Sequence, residues 1–441
     1  EKVEFENFVE HKLADGNLHY LRAAVLLAVR FGRYLYFKFH TYILTQRGAA
    51  LQEHLKQNGS TGAIFAAYGQ KDFKMGMYKR QSRCYNIDSN YQIRGKIMAD
   101  KSKVRFITLG ELLLRLAPPN YEKIRMANQF VVTYGGAEAN VAVSLSNLGI
   151  DSSYFTVVPD SSIGKAAIRY LRANDVHCSP CIRAKGGRMG LYYLEEGFGV
   201  RASKVTYDRA DSAFATYDFS TIDFKEKLKG YTWLHTSGIT PALSKNCRDL
   251  TMYALKAAKE LGMTVSFDCN FRSALWTFQE ARDCLTEYMP YIDVLIGIEP
   301  INLPGPDGKD LKDGLSMTPT FDEQDRIFKA LHDKWNFKAI GRTVRYVHSG
   351  SENSLKAFLW YDGKTYESKT FRFTILDRVG GGDAFASGLF YAMMAGMEPQ
   401  DIVNFAVASS VMKHTIHGDF NITDDVDSII KLMNQDFEIR R

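Results

Sequence analysis

From residue 104 onward the apolar positions fall into two alternating patterns. Short apolar, β-branched runs at 104–109, 130–134, 154–158, 233–235, 264–268, 293–297 and 338–342 predict strands. Between most of them, stretches with three- to four-residue periodicity at 137–148, 162–174, 244–261, 278–289 and 321–334 predict helices. Runs at 355–361 and 365–373 flank Asp362-Gly363 and predict a hairpin, and helices are expected at 383–395 and 399–414. Strands alternating with helices of this length predict an α/β fold, a doubly wound, mostly parallel sheet with helices on both faces. Strand signals near 120–135 and at 188–208, the latter around a Gly-rich turn at 196–199, break the alternation and predict a small β-sheet lid. Residues 303–320 read as a Pro/Gly/Asp-rich loop.

Residues 1–97 lack this order. The stretch 21–44 is apolar and aromatic, but Arg22, Arg30, Arg33 and Lys38 interrupt it. A membrane span needs about 20 residues with few charges, and the segment starts too late for a signal peptide. An amphipathic basic helix on a membrane surface stays open. The whole-chain charge of +6 is concentrated here: residues 1–97 carry 15 Lys+Arg against 8 Asp+Glu, and the rest carries 41 against 42. Residues 98–441 therefore show no electrostatic bias towards nucleic acid or membrane. Met98 stands just before the first clean strand, after Arg94-Gly95-Lys96, which purine-rich codons can encode. The expectation is that 1–97 is a basic extension, translated leader or unstructured, and 98–441 the working domain. The alternative is an appended domain of its own.

Six cysteines in 441 residues suit a reducing compartment, and cytoplasmic location is expected. Cys178 and Cys181 form one C-x-x-C with no second pair at metal spacing, so a structural role is favoured. The richest chemistry lies in Asp377-Arg378-Val379-Gly380-Gly381-Gly382-Asp383. Glycines feeding a helix let backbone N–H groups close on an anion, and the helix dipole favours Asp383 as a carboxylate. An ordinary Gly-rich turn before a core helix is the plain alternative.

Gly135-Gly136 end a strand, and Asn140 sits one turn into the next helix, where its amide suits sugar hydroxyls. Tyr192, Tyr193, Tyr207 and Arg209 lie on the lid strands, a guanidinium beside phenols suiting a carboxylate ligand. Asp268, Asn270 and Arg272 alternate at the carboxyl end of a strand, where open α/β sheets bind ligands. Glu299 is a candidate metal carboxylate, and His414, His417 and Asp419 border a candidate nucleotide pocket. Each has a plain reading as loop, surface or core residue.

Together these residues resemble the ribokinase-like (PfkB-type) carbohydrate kinases, most nearly the 2-keto-3-deoxygluconate kinases, over about 104–425. The family signature Asp-x-x-Gly-(Ala/Gly)-Gly-Asp-Ala-Phe is met by Asp377, Gly380, Gly381, Gly382, Asp383, Ala384 and Phe385, and its Gly-Gly-x-x-x-Asn motif by Gly135, Gly136 and Asn140. Tyr207/Arg209 and Asp268/Asn270/Arg272 look like the keto-acid version. The resemblance implies a ribokinase-like fold and ATP-dependent phosphorylation of 2-dehydro-3-deoxy-D-gluconate at its terminal hydroxyl, with Mg²⁺. It implies Asp383 as a weak catalytic base and Gly380, Gly381 and Gly382 as anion hole. Gly135, Gly136, Asn140, Tyr192, Tyr207, Arg209, Asp268, Asn270 and Arg272 would hold the acceptor, with the arginines at its carboxylate. Arg342, Ser349, Gly350 and His414 would serve the nucleotide and Glu299 the metal.

The implied partners are the sugar acid and ATP, with no nucleic acid, and a homo-oligomer is expected. The family often has Asn-x-x-Glu where Ile298-Glu299 stands here, and the loop that follows is lengthened. Competing expectations are a fructokinase or another ribokinase-like sugar kinase, and a non-catalytic sugar-sensing protein on the same fold.

Overall fold

The computed structural model describes residues 104–435. The basic stretch 21–44, and the extension 1–97 as a whole, lie outside the described residues. In chain order the described part runs β1 (Arg105–Leu109), β2 (Leu113–Ala117), β3 (Val131–Gly135), α1 (Ala137–Asn147), β4 (Asp151–Phe155), β5 (Val157–Pro159), α2 (Ser162–Arg172), β6 (Ile182–Ala184), β7 (Leu191–Glu195) and β8 (Lys204–Asp208). It continues with α3 (Phe224–Leu228), β9 (Trp233–Ser237), α4 (Ile239–Ala242), α5 (Lys245–Glu260), β10 (Thr264–Asp268), α6 (Phe278–Tyr288), β11 (Val294–Ile296) and α7 (Phe321–Trp335). Last come β12 (Ala339–Val347), β13 (Glu352–Tyr361), β14 (Lys364–Glu367), β15 (Phe371–Thr374), α8 (Gly381–Met394), α9 (Pro399–Lys413) and α10 (Val426–Met433).

The main sheet has the order β14-β13-β12-β11-β10-β9-β1-β4, with β15 also on β13. From β12 to β4 every pairing is parallel, and β13 and its partners close one edge antiparallel. Strand side chains alternate between faces, so the apolar runs feed two cores. Ile107, Leu234, Phe267 and Leu295 pack against Leu250, Leu285 and Phe328 of α5, α6 and α7. Phe106, Trp233, Val294 and Ile296 pack against Val141, Phe385, Leu389 and Val407 of α1, α8 and α9. Burial on both faces is why these strands read as unbroken apolar runs.

The second sheet has the order β3-β2-β7-β8. Its β2, unassigned by periodicity, pairs antiparallel with β3 and parallel with β7. Strand β12 runs past the expected 342 because nine of its residues pair with β13. The single strand expected at 365–373 is two, β14 and β15, one at each end of β13. Cys178 and Cys181 are free thiols in an apolar cluster with Tyr154 and Val176. No helix among the described residues is long and apolar enough to cross a membrane.

Candidate active site

A cleft of about 620 Å³ opens at the carboxyl ends of β1, β10, β11 and β12, under β7 and β8. That is an ordinary size for a small-molecule site. It gathers Gly136, Asn140, Tyr192, Tyr207, Arg209, Asp268, Asn270, Arg272, Glu299, Arg342, Gly380, Gly381, Gly382 and Asp383 from 248 residues of chain. The strand order spreads them across the cleft. Glu111 and Arg209 stand on the β1 side, Asp268 and Arg272 in the middle, and Glu299 and Arg342 on the β11 and β12 side.

The glycine loop ends at the first turn of α8. Gly380 has φ 82°, a left-handed conformation, and a Cβ there would lie 2.1 Å from the Asp419 carbonyl oxygen. A Cβ on Gly381 would lie 2.3 Å from His414 Cε1, whereas Gly382 has no atom within 4 Å of such a position. Two of the three glycines therefore permit close packing, and the third faces open space. First-turn N–H groups have no partner inside the helix, which suits an anion.

Asp383 Oδ2 accepts from Asn140 Nδ2 at 2.6 Å, so the two glycine motifs meet at this contact. Burial raises the Asp383 pKa to about 7, with the Asp268 and Glu138 carboxylates adding to the effect and Asn140 and Arg272 opposing it. The expectation of a weak base is corrected: burial, the largest influence, raises the Asp383 pKa. Asp268 is likewise pushed up to about 6, chiefly by burial. Glu138 is buried, shifted upward by the same cause, and holds Ser237 and Thr240.

Arg209 is not a free cation. Its Nε donates to Glu111 Oε2 at 2.9 Å, Nη2 pairs with the same oxygen, and Ser212 Oγ donates to Glu111 Oε1. Its charge is therefore offset within the wall, and the guanidinium lies 5.5 Å from the Tyr207 ring centre. Tyr192 lines the cleft, but its hydroxyl donates to Asp419 at 2.6 Å. By contrast Arg272 is exposed and lines the cleft, and its guanidinium makes no ion pair or hydrogen bond among the described residues.

Tyr193 and His417 do not line the cleft, and of the residues that the family resemblance assigned to acceptor or nucleotide, four lie outside its wall. Gly135 packs on Asp419, whose Oδ2 would stand 1.9 Å from a Cβ. Ser349 and Gly350 form the β12–β13 turn: Ser349 N donates to the Glu352 carbonyl, and Gly350 abuts the carbonyls of Gly199 and Arg201. His414 is buried beneath Gly381, its Nδ1 2.7 Å from the Ser410 carbonyl oxygen, and burial lowers its pKa to about 4. Sequence reasoning assigned no role to Glu111 and Glu138, since a lone acid in a loop or helix carries no local signal.

Two places present carboxylates to a metal ion. Glu196, Asp377 and His417 have ligand atoms within 4.8 Å of one another. Arg115, however, pairs with both carboxylates at 2.7 Å, so that group does not fit a cation. Glu299 fits better: its side chain is 46% exposed on the cleft, and Lys312, 3.6 Å away, pairs more closely with Asp310 at 2.7 Å. Mg²⁺ is commonly held by one or two carboxylates plus substrate phosphates.

A helix start whose N–H groups suit an anion, a buried carboxylate shifted towards neutral pH and a polar cleft beside them suit phosphoryl transfer on an α/β scaffold. Residues 105–424 match the family described as pfkB family carbohydrate kinase, and the chain belongs to that family. A 2-dehydro-3-deoxygalactonokinase from Haloferax volcanii is 32% identical over 74% of this chain and 96% of its own length. The crystal structure of a 2-dehydro-3-deoxygluconokinase from Thermotoga maritima is 38% identical, with TM-score 0.69, over 75% of this chain and 99% of that one. A putative ribokinase II from E. coli, solved in complex with ATP and Mg²⁺, shares the fold at 17% identity, TM-score 0.61, over 75% and 99% of the two chains.

Proposed function

We propose that this kinase transfers the terminal phosphoryl group of ATP to the terminal hydroxyl of 2-dehydro-3-deoxy-D-gluconate, giving the 6-phosphate. The observation that carries the substrate class is Arg272. It is a cleft-facing guanidinium that forms no ion pair with the protein, although its charge acts on the nearby Asp268 and Asp383 carboxylates. A carboxylate ligand completes such a group, and a neutral sugar does not. The names of the relatives at 32% and 38% identity support the same class.

In this reading Asn140 fixes one carboxylate oxygen of Asp383 and leaves the other for the acceptor hydroxyl. Asp383 takes the hydroxyl proton as the new P–O bond forms and the bond to ADP breaks. The N–H groups at the start of α8 hold the transferring oxygens, so positioning and charge stabilisation do most of the work. Glu299 would hold Mg²⁺, which when bound supplies positive charge at the phosphate oxygens.

An ADP-release assay over a panel of acceptors tests the reading. The highest kcat/KM is expected on 2-dehydro-3-deoxy-D-gluconate; higher turnover of fructose or ribose would refute the substrate class. Its C4 epimer is the second reading, favoured by the name of the Haloferax volcanii relative, and the same panel separates the two. Arg272→Ala should raise the KM for the acid by about 10–100-fold, the worth of a charged hydrogen bond, and that for ATP far less.

A further inference from the structure

Behind the cleft, and outside its wall, Arg115 of β2 is 2% exposed. Its Nη1 donates to Asp419 Oδ1 at 2.9 Å, and its Nη2 lies 2.7 Å from both Glu196 Oε1 and Asp377 Oδ2. Tyr192, the register partner of Arg115 on β7, donates its hydroxyl to Asp419. Asp377 heads the glycine loop: Oδ1 accepts from Val379 N at 3.0 Å and Oδ2 from Gly418 N at 2.9 Å. The Asp419 carbonyl lies against Gly380. One guanidinium thus joins the second sheet, the start of the glycine loop and the 418–419 segment. The Lys413 ammonium, also buried, donates to the Ile416 carbonyl and is drawn to Asp377 and Asp419.

We infer that Arg115 is a positioning residue for phosphoryl transfer. It clamps the second sheet, with Tyr192 and Tyr207, onto the glycine loop, so that the anion hole and the acceptor wall keep one spacing. Two features favour this role over simple packing. The guanidinium spends its donors on three carboxylates from three separate segments, a geometry that an apolar side chain or a lysine does not reproduce. Two of those carboxylates belong to segments that form or abut the glycine loop itself. Because Arg115 does not line the cleft, its effect reaches the reaction only through Asp377, Asp419 and Tyr192.

Loosening the clamp separates the two halves of the site and admits water. The γ-phosphoryl bond to ADP then breaks with a water oxygen, in place of the acceptor hydroxyl oxygen, forming the new P–O bond. The products are ADP and phosphate, and the water proton passes to the same carboxylate.

The inference rests on the kinase reading, and the test uses whichever acceptor the wild-type chain turns over best. A wrong substrate class is thereby seen in the wild type and a wrong clamp only in the variants. Arg115→Lys and Arg115→Met in the full chain are compared with Tyr192→Phe, which keeps every charge and deletes one bond to Asp419. Thermal melting, kcat, both KM values, and ADP and phosphorylated acid are measured together. Folded variants are expected to lose about 10–100-fold in kcat, the cost of a small misplacement of reacting groups. They should also release more ADP than phosphorylated acid, with Tyr192→Phe shifted the same way to a smaller extent. Should Arg115→Met fail to fold, Arg115→Lys and Tyr192→Phe decide. Equal ADP and product in the folded variants, or a loss of activity recovered in full on cooling below the melting range, would overturn the assignment.

Discussion

Asp383 carries opposing influences at the scale of one side chain. A helix start favours its charge, yet burial and two neighbouring carboxylates win and bring it to about 7. In the proposed role of base it must be ionised, so kcat/KM for the acceptor should rise with pH and level off above an inflection near 7. Asp383→Asn should cut kcat by about 10²–10⁴-fold while ATP still binds, as expected on removing a general base. The same shift has a stability consequence of defined sign. With a folded pKa near 7 against an ordinary 3.8, the native state binds more protons between those values, so stability falls as pH rises through that window. Relative to wild type, the melting temperature of Asp383→Asn should therefore climb from about pH 4 to pH 7 and hold its advantage above, which a melting series in buffers across that range reads directly.

At the scale of elements, the glycine loop shows why three like residues are not equivalent. An alanine at Gly381 meets the His414 ring, buried and ringed by Phe373 at 4.8 Å, and cannot push it aside cheaply. Gly381→Ala should lower stability by about 1–3 kcal/mol, the usual cost of overpacking. Gly382 meets nothing, so Gly382→Ala should hold or raise stability by up to about 1 kcal/mol in the helix. Its activity should nonetheless fall, because the methyl stands where the phosphoryl group must approach. Melting curves and the ADP assay on the two variants distinguish the roles. The sequence shows Gly380-Gly381-Gly382 as one motif; only the packing of α9 beneath it separates a structural glycine from a cleft-facing one.

For the whole molecule, relatives are matched over 96% and 99% of their own length by about three quarters of this chain. Residues 98–441 are accordingly expected to fold and turn over alone with kcat unchanged. Expression of that segment beside the full chain, with melting and activity measured on both, checks it, and an insoluble or inactive segment would make 1–97 a working part of the enzyme. The α/β class was legible because each parallel strand is buried on both faces and leaves a continuous apolar run. The two-sheet division was only half legible: β7 and β8 announced themselves around a Gly-rich turn, whereas β2 is a short strand whose pairing with β3 and β7 is decided by the sheet and not by its own five residues.

The sequence by itself determined the fold class, the family motifs and their order, because glycine's freedom, a carboxylate's charge and a strand's apolar run are local properties. Tertiary structure decided what each of them meets. Asn140 reaches Asp383 across 243 residues, Arg209 is neutralised by Glu111 across 98, and Arg115 finds Asp419 across 304. Ser349 and Gly350 went to a turn and His414 to the core, while Arg272 was left open. Charge compensation and desolvation depend on partners that only the closed fold supplies, and no spacing along the chain encodes them.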